Sequence, residues 1–138
     1  MNDQNFNDLY QSAAALIKSR YAPRKHVIAA AVMGGSGKIY SAVNLDSHLR
    51  RAAVCAEGAA IAIAMSAGEE KITAVLALRY DPETGEPWVV SPCGVCRELI
   101  LDYGQDAAVY VPNGANQPNV MIASDLLPNR YAKQGKRE

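Results

Sequence analysis

Two short stretches, V-C-A-E at 54–57 and S-P-C-G-V-C at 91–96, contain all three cysteines of this chain, and each begins a predicted helix. A structural zinc site is normally closed by four protein ligands, whereas a catalytic zinc keeps one position open for water. Three thiolates with a single carboxylate beside them, that of Glu57, are therefore typical of a zinc site that performs chemistry. The three candidate ligands are Cys55, Cys93 and Cys96.

Both stretches benefit from lying at helix starts. The alanine-rich segment 52–67 is helical by composition and Gly68 ends it, while Pro92 precedes a second predicted helix at 94–103. Free N–H groups and a partial positive charge at a helix N-terminus lower the pKa of a thiol there. They offset part of the charge of three thiolates on one zinc ion, and Arg97, directly after the last cysteine, is a further source of positive charge.

Strands alternate with helices along most of the chain. A third helix is predicted at 3–21, because apolar residues recur there at spacings of three and four and Pro23 follows. Five strands are predicted, with 88–90 as a short extended piece; the strands are 26–33, 38–44, 72–79, 108–111 and 120–123. This alternation indicates an α/β layered domain with a mainly five-stranded sheet. The 138 residues fit one domain, 1–138, with a frayed tail at about 132–138.

The tetrapeptide G-G-S-G at 34–37 is the only other motif that suggests a ligand. A glycine-rich loop that cradles phosphate is followed by a helix, whereas this one lies between two predicted strands. We therefore interpret it as the turn of a β-hairpin.

Composition narrows the possible partners. Lysine plus arginine equal aspartate plus glutamate at 14 each, so the net charge is zero and binding of a nucleic acid polymer is disfavoured. The amino terminus lacks the pattern of a secretory signal, and no stretch approaches the roughly 20 apolar residues that cross a bilayer. An odd number of cysteines argues against a disulfide framework. We expect a cytoplasmic protein without a membrane partner.

Two other interpretations of the cysteines stay open at this point. A Cys-x-x-Cys pair also occurs in redox sites and in structural zinc sites. A redox pair leaves V-C-A-E unexplained. A structural site needs a fourth ligand, which His26 or His48 could supply; such a non-catalytic zinc or binding module is the alternative to an enzyme.

Five segments together resemble the small zinc-dependent cytidine deaminases: C-A-E at 55–57, P-C-G-V-C-R at 92–97, Y-A-P at 21–23, V-N-L-D at 43–46 and L-L-P-N-R-Y at 126–131. The resemblance implies a three-layer α/β/α cytidine-deaminase-like fold with a central mixed five-stranded sheet. It also implies one zinc ion per subunit and a homotetramer whose sites are completed by neighbouring subunits.

The resemblance further implies an activity and a set of roles. The three cysteines would hold zinc, and Glu57 would carry protons while water replaces the amino group at C4 of a free cytosine nucleoside, giving the uracil nucleoside and ammonia. The expected substrate-binding residues are Asn44 and Asp46 at the sugar, the Ala56 backbone and the Ser91 carbonyl at the base, His26, and Tyr131 reaching a neighbour's site.

The departures from the family pattern concern mostly the substrate. Asp46 replaces a glutamate, Ser47 an asparagine, and the segment around His26 replaces one that carries an aromatic residue. Gly58 stands where an arginine is usual, which leaves Arg97 more of the charge to balance, and a glutamate at 98 replaces a glutamine.

Part of the pattern is similar to the blasticidin S deaminases, which use the same chemistry on a cytosine nucleoside antibiotic. The shared features are A-A-A at 29–31, the missing arginine after C-A-E, and the ending L-L-P-x-x-Y. Arg50 and Arg51 occupy a segment that normally carries a tyrosine on the substrate side. A guanidinium binds carboxylate or phosphate in a bidentate manner, so this pair either binds an anionic group or is simply solvated.

Overall fold

The computed structural model describes residues 3–114 and 118–132. Within them, three helices flank one six-stranded mixed sheet. The elements are α1 (Asp3–Arg20), β1 (Ile28–Gly34), β2 (Ile39–Val43), α2 (Ala56–Ser66), β3 (Ile72–Arg79), β4 (Trp88–Val90), α3 (Gly94–Tyr103), β5 (Ala108–Val111) and β6 (Asn119–Ile122), with 3-10 turns at Arg50–Ala52 and Ala123–Leu126. The strand order is β2-β1-β3-β5-β6, and β4 pairs with β3 beside this path.

The side chains of β1 divide the core into two layers. Successive residues of a strand point to opposite faces. Ala29 and Ala31 accordingly pack with the α1 residues Leu9 and Ile17. The alternate residues of β1 instead belong to the core that includes Ala56, Ala60 and Ile61 of α2 and Ile100 of α3. The predicted α/β/α arrangement is confirmed, and the alanines of β1 let helices approach the sheet closely from both sides.

Two chain segments with predicted site residues, those of His26 and Asn44, meet at the end of the sheet where β1 begins. β1 runs antiparallel to β2 and to β3, so its first residue, Ile28, lies opposite the end of β3 and next to the end of β2. β3 and β5 are parallel, which requires a crossover, and this crossover contains β4, Ser91 and α3. The residues after β2 and before β1 therefore meet at this end of the sheet, where β4 also begins opposite Arg79.

The predicted elements differ from the observed ones mainly at their ends. The expected helix at 52–67 begins only at Ala56, because Val54 is extended and pairs with Leu45 in an isolated bridge. The extended piece at 88–90 is a true strand, which adds a sixth strand to the five predicted. The frayed tail predicted at about 132–138 lies outside the described residues from 133 onward. No helix in the described ranges is long and apolar enough to span a membrane.

The glycine turn at 34–37 is the predicted hairpin connection between β1 and β2. Gly37 has φ of 92°, a conformation that favours glycine. The Glu69 carboxylate sits against this turn. It accepts hydrogen bonds from the Ser36 backbone N–H at 3.1 Å, from the Ser36 hydroxyl, and from the Tyr40 hydroxyl at 2.7 Å. The hydrogen-bond donors of Ser36 and Tyr40 at this turn thus bind the chain's own Glu69 carboxylate. This contact holds the hairpin against the end of α2.

Candidate metal centre and active site

The three cysteines meet at one point in space, although Cys55 and Cys93 are 38 positions apart in the sequence. Their sulfur atoms all lie within 4.8 Å of one another, and the Sγ atoms of Cys55 and Cys93 are 3.4 Å apart. All three cysteines are free thiols. The structure thus brings together the three ligands predicted from sequence spacing.

Two helix N-termini hold this cluster. Cys55 and Cys93 are the N-cap residues of α2 and α3, with extended backbones (ψ of 147° and 171°). Their carbonyl groups accept the first helical hydrogen bonds, from Ala59 N–H at 3.1 Å and from Arg97 N–H at 2.9 Å. Because Cys55 precedes the helix rather than belonging to it, its side chain and that of Glu57 can approach the same ion. A regular helix would separate them by about 200°.

Glu57 is the single buried charged residue among the described residues, with 5% of its surface exposed. Its Oε1 lies 3.7 Å from the Sγ atom of Cys96. Burial raises the pKa of this carboxyl, an effect that its own backbone N–H and the Cys96 thiol only partly oppose. A buried carboxyl with a raised pKa beside three thiols has the properties of a group that exchanges protons.

The thiols themselves ionise to different degrees. Burial raises the pKa of Cys55 and, more strongly, that of Cys96, which also faces the negative charges of Glu57 and the other two thiolates. Burial acts in the same direction on Cys93, but hydrogen bonds from the Cys96 N–H, the Cys55 thiol, the Val95 N–H and the Cys96 thiol together outweigh it and lower the pKa of Cys93. Packing this much potential negative charge together is costly without a cation, so the donor set suits a divalent metal.

The chemistry of the donors selects zinc. Three thiolates in a compact cluster favour a soft or borderline metal ion, and three protein ligands leave one of zinc's four positions open. Among the described residues the cluster contains no histidine. His26 is engaged elsewhere: its Nδ1 donates to the Asn44 carbonyl at 2.9 Å. The residues present therefore fit an open zinc site.

Arg97 makes contacts that sequence reasoning missed. Its Nε donates to the Pro92 carbonyl at 2.9 Å, its Nη1 to the Leu126 carbonyl at 3.0 Å, and its Nη2 to the Ser91 hydroxyl at 3.2 Å. These bonds fix the segment that leads into Cys93. A charge effect of Arg97 on the thiolates stays a prediction, whereas its role as a backbone brace is a direct observation.

Gly58 stands where the family pattern has an arginine. A Cβ atom there would lie 3.1 Å from the Cδ1 atom of Leu99, which is a tight contact. The Gly58 backbone N–H helps to lower the pKa of the Cys96 thiol, although burial dominates that group. The backbone at this position therefore supplies part of the positive potential that an arginine side chain would contribute.

Asn44 fixes the entrance to β1. Its Oδ1 accepts hydrogen bonds from the Val27 and Ile28 N–H groups at 2.8 and 3.0 Å. Its backbone N–H donates to the Ile28 carbonyl at 3.0 Å. With the His26 ring on its own carbonyl, Asn44 is held through its side-chain oxygen, its backbone N–H and its carbonyl.

Asp46 begins an exposed loop whose ends are fixed. The Leu45 and Val54 backbones exchange hydrogen bonds of 2.9 and 2.8 Å, so the loop opens directly after Asn44 and closes directly before Cys55. Asp46 Oδ1 accepts from the Ser47 N–H at 2.8 Å, and its own N–H donates to the Lys25 carbonyl at 3.1 Å. Asp46 is thus at the rim of the site, tied to the turn before β1.

The remaining predicted contacts lie on different elements. Ala56 is fully buried in the first turn of α2, and Ser91 is exposed directly after β4. Tyr131 is 82% exposed, so it covers no site of its own chain. The preceding Arg130 is anchored to α3: its guanidinium pairs with Glu98 and, at 3.0 Å, with Asp102. The glutamate at 98 therefore serves to attach the carboxy-terminal segment.

A cavity of about 710 Å³ lies elsewhere, between α1 and the Trp88 region. Glu86 is the single acidic side chain that lines it, and no cysteine does. Volume alone therefore does not locate the chemistry in this molecule; the convergence of thiols and a buried carboxyl does.

The fold and the cluster define a zinc-binding α/β enzyme domain. Residues 3–112 match the family described as the cytidine and deoxycytidylate deaminase zinc-binding region. The chain belongs to this family of zinc hydrolases that act on C–N bonds, and the predicted family and zinc cofactor are confirmed.

Relatives and solved structures agree with that membership. The chain is 35% identical over 129 residues to a blasticidin-S deaminase from Bacillus cereus, a match that covers 91% of each protein. It is 30% identical over 116 residues to a cytidine deaminase from Sporosarcina psychrophila, covering 83% of this chain and 82% of that protein. The crystal structure of the cytidine deaminase from Bacillus anthracis superposes with a TM-score of 0.79 at 30% identity, covering 91% of this chain and 88% of the other.

Proposed function

We propose that this protein is a zinc-dependent enzyme that hydrolyses the amino group from C4 of a free cytosine nucleoside, cytidine, deoxycytidine or an analogue. The observation that carries the proposal is the cluster of three sulfurs within 4.8 Å, with the buried Glu57 carboxyl 3.7 Å from one of them. The products are the uracil nucleoside and ammonia. Family membership and the named relatives support the same reaction.

In this proposal Cys55, Cys93 and Cys96 hold the zinc ion. When bound, zinc supplies a Lewis acid that makes a water molecule nucleophilic near neutral pH. Glu57 carries the two protons of that water to the substrate one after the other, the first to the ring nitrogen and the second to the leaving amino group. Burial suits Glu57 to both steps, because a raised pKa brings a carboxyl closer to the operating pH.

Residues from several elements orient the substrate. In this proposal the Ala56 N–H and the Ser91 carbonyl bind the cytosine ring, and Asn44 Nδ2 and Asp46 bind the sugar hydroxyls. His26 acts on the sugar side by holding the Asn44 carbonyl. Asp46 is one methylene shorter than the family glutamate, so we assign it a contact made through water or through movement of its loop.

A substrate panel tests the reaction. Zinc-loaded protein is mixed with cytidine, deoxycytidine and blasticidin S, and turnover is followed by ultraviolet absorbance and by ammonia release. Turnover of any of the three supports the proposal. Zinc-containing protein that is inert on all three would instead favour the alternative, a non-catalytic structural-zinc or binding module.

A second candidate substrate is a nucleoside antibiotic of the blasticidin S type. The relative from Bacillus cereus, 35% identical over 91% of the chain, favours it, as does the absence of an arginine at position 58. The same panel decides: a kcat/KM for blasticidin S at least tenfold above that for cytidine assigns the antibiotic, and the reverse ratio assigns the simple nucleosides.

We also propose that the enzyme is a homotetramer in which Tyr131 completes a neighbouring site. Large apolar side chains around the site are exposed in the single chain, including Leu49 at 60% and Val95 at 68%, beside Tyr131 at 82%. The ionic anchor of Arg130 holds the segment that presents Tyr131. A second copy of the chain is the partner that would cover these surfaces.

Light scattering gives the oligomeric state, and mixed oligomers test the shared site. Tyr131→Ala and Glu57→Gln are each expected to lose activity, and co-expression of the two is expected to recover part of it. Recovery occurs because a subunit with Glu57 intact then receives Tyr131 from its neighbour. A monomer, or mixed oligomers without recovery, would contradict the shared site. The cytoplasmic location stays a proposal too, supported by zinc ligands that must remain reduced.

A further inference from the structure

Two segments that depart from the family pattern are far apart in sequence and adjacent in space. The turn before β1, residues 22–26, and the loop 46–53 are joined by the hydrogen bond from Asp46 N–H to the Lys25 carbonyl at 3.1 Å. Between them lies a cavity of about 390 Å³. Its lining residues are Arg24, Asp46, Ser47, His48 and Arg50.

The lining of this cavity is predominantly cationic. Two guanidinium groups, those of Arg24 and Arg50, share it with one carboxylate, that of Asp46. Neither arginine belongs to any of the three ion pairs found in residues 3–114 and 118–132. Asp46 Oδ1 is already engaged by the Ser47 N–H. The two guanidinium groups outnumber the one carboxylate, so the cavity keeps a net positive charge.

Arg24 is held in a conformation that is unusual for its type. Its φ is 65°, in the left-handed region where glycine is the default residue. The turn is fixed by the Ala22–His26 bridge and by hydrogen bonds from the Lys25 and His26 N–H groups to the Ala22 carbonyl. A glycine would satisfy this turn with less strain. The arginine that stands here instead lines the cavity.

The cavity lies on the sugar side of the proposed site. Asp46 lines it and is two residues after Asn44, the other proposed sugar contact. Pairing of Leu45 with Val54 places the loop directly beside Cys55. If Asn44 and Asp46 bind the sugar as proposed, the arginines that share the cavity with Asp46 lie near the sugar's substituents.

We infer that the cavity between Arg24 and Arg50 binds an anionic group, a carboxylate or a phosphate, carried on the sugar side of the cytosine nucleoside. A guanidinium binds either anion through paired N–H groups. This inference rests on the proposed function and specifies its substrate class. Arg51 does not line the cavity, although it is the neighbour of Arg50 in the same 3-10 turn.

The test compares charged and neutral substrates in matched variants. Rates are measured for cytidine, for its 5′-monophosphate and 3′-monophosphate, and for its 5′-carboxylate analogue, so that the arms distinguish the anion and its position. In the wild type at least one anionic substrate is expected to exceed cytidine in kcat/KM. Arg24→Gly with Arg50→Ala is expected to lower that anionic-to-neutral ratio about tenfold, since exposed ion pairs are individually weak. Glycine is chosen at 24 because it suits the left-handed turn.

Arg51→Ala is the control and is expected to keep the ratio within twofold of the wild type. Calorimetric titration of the inactive Glu57→Gln protein with cytidine and with the preferred anion gives the same comparison without turnover. Rising salt is expected to weaken the anion's advantage.

The results separate the inference from the proposed function. No turnover of any cytosine substrate overturns the proposed reaction. Turnover of cytidine with no anionic substrate preferred, or with a ratio that the double variant leaves unchanged, overturns the anion site alone. A double variant that dissociates into monomers and loses neutral and anionic turnover equally assigns the arginines to a subunit contact and also overturns the site.

Discussion

Two carboxylates flank α2, and the protein uses them in opposite ways. Glu57, in the first turn, is buried, and its Oε1 lies 3.7 Å from the Cys96 sulfur. Glu69, just beyond the helix, accepts three hydrogen bonds from Ser36 and Tyr40. Burial raises the pKa of Glu57, whereas the Ser36 and Tyr40 hydroxyls lower the pKa of Glu69. A carboxylate that is saturated with donors stabilises structure, and one that is buried with few donors is available to move protons.

Removal of zinc is expected to have the largest effect on activity, and this effect should be confined to the metal centre. Exhaustive dialysis against a chelator should reduce deamination to background, and one equivalent of zinc should restore it. Circular dichroism should show a chain that is still folded, because both cores of the sheet are built without the metal. A chelator that unfolds the chain would contradict this and favour a structural zinc.

Glu57→Gln should have the second-largest effect on activity. The amide is nearly isosteric but cannot carry protons, so kcat should fall about a thousandfold while zinc content, measured by atomic absorption, stays unchanged. The matched control is Glu69→Gln, which should keep kcat within about twofold, because Glu69 contacts the hairpin and not the cluster. Equal losses of kcat in the two variants would contradict the proposed difference in role between Glu57 and Glu69.

Glu69→Gln should instead lower thermal stability, and in a manner that depends on pH. A carboxyl whose folded pKa lies below its ordinary value of 4.5 contributes stability above that value and loses it as the pH falls through the lowered folded pKa. The melting temperatures of wild type and variant should therefore differ most at neutral pH and converge below pH 4.5. A difference that is constant with pH would show that the charge of Glu69 is irrelevant to the turn.

Tyr40→Phe should give the smallest effect. It removes one of the hydroxyls that bind Glu69 and leaves both contacts from Ser36 in place. The loss of one hydrogen bond should lower the melting temperature by less than Glu69→Gln does, and the pKa of Glu69 should rise towards its ordinary value. Titration of the Glu69 carboxyl by NMR in both proteins measures this directly.

The parts of this molecule that were predictable from sequence are those with local signals. Cysteine spacing located the zinc cluster. Short apolar and β-branched runs, alternating at 38–44 and nearly continuous at 72–79, located every strand to within about two residues at either end. The late start of α2 was missed, because it depends on the pairing of Val54 with the distant Leu45. The carbonyl contacts of Arg97 and the brace formed by Glu69 were missed for the same reason: each joins segments far apart in the chain.

The exchange of hydrogen bonds between Leu45 and Val54 has a consequence for how such proteins diversify. These hydrogen bonds fix both ends of the loop 46–53. We therefore expect that the sequence of the loop can be replaced without displacing Asn44 or Cys55. Nearly every residue of that loop is exposed, so few packing constraints limit what it contains. Under the proposed function, the reaction and the choice of nucleoside would be encoded in separable pieces of the chain, and transplanting this loop between relatives tests that separation.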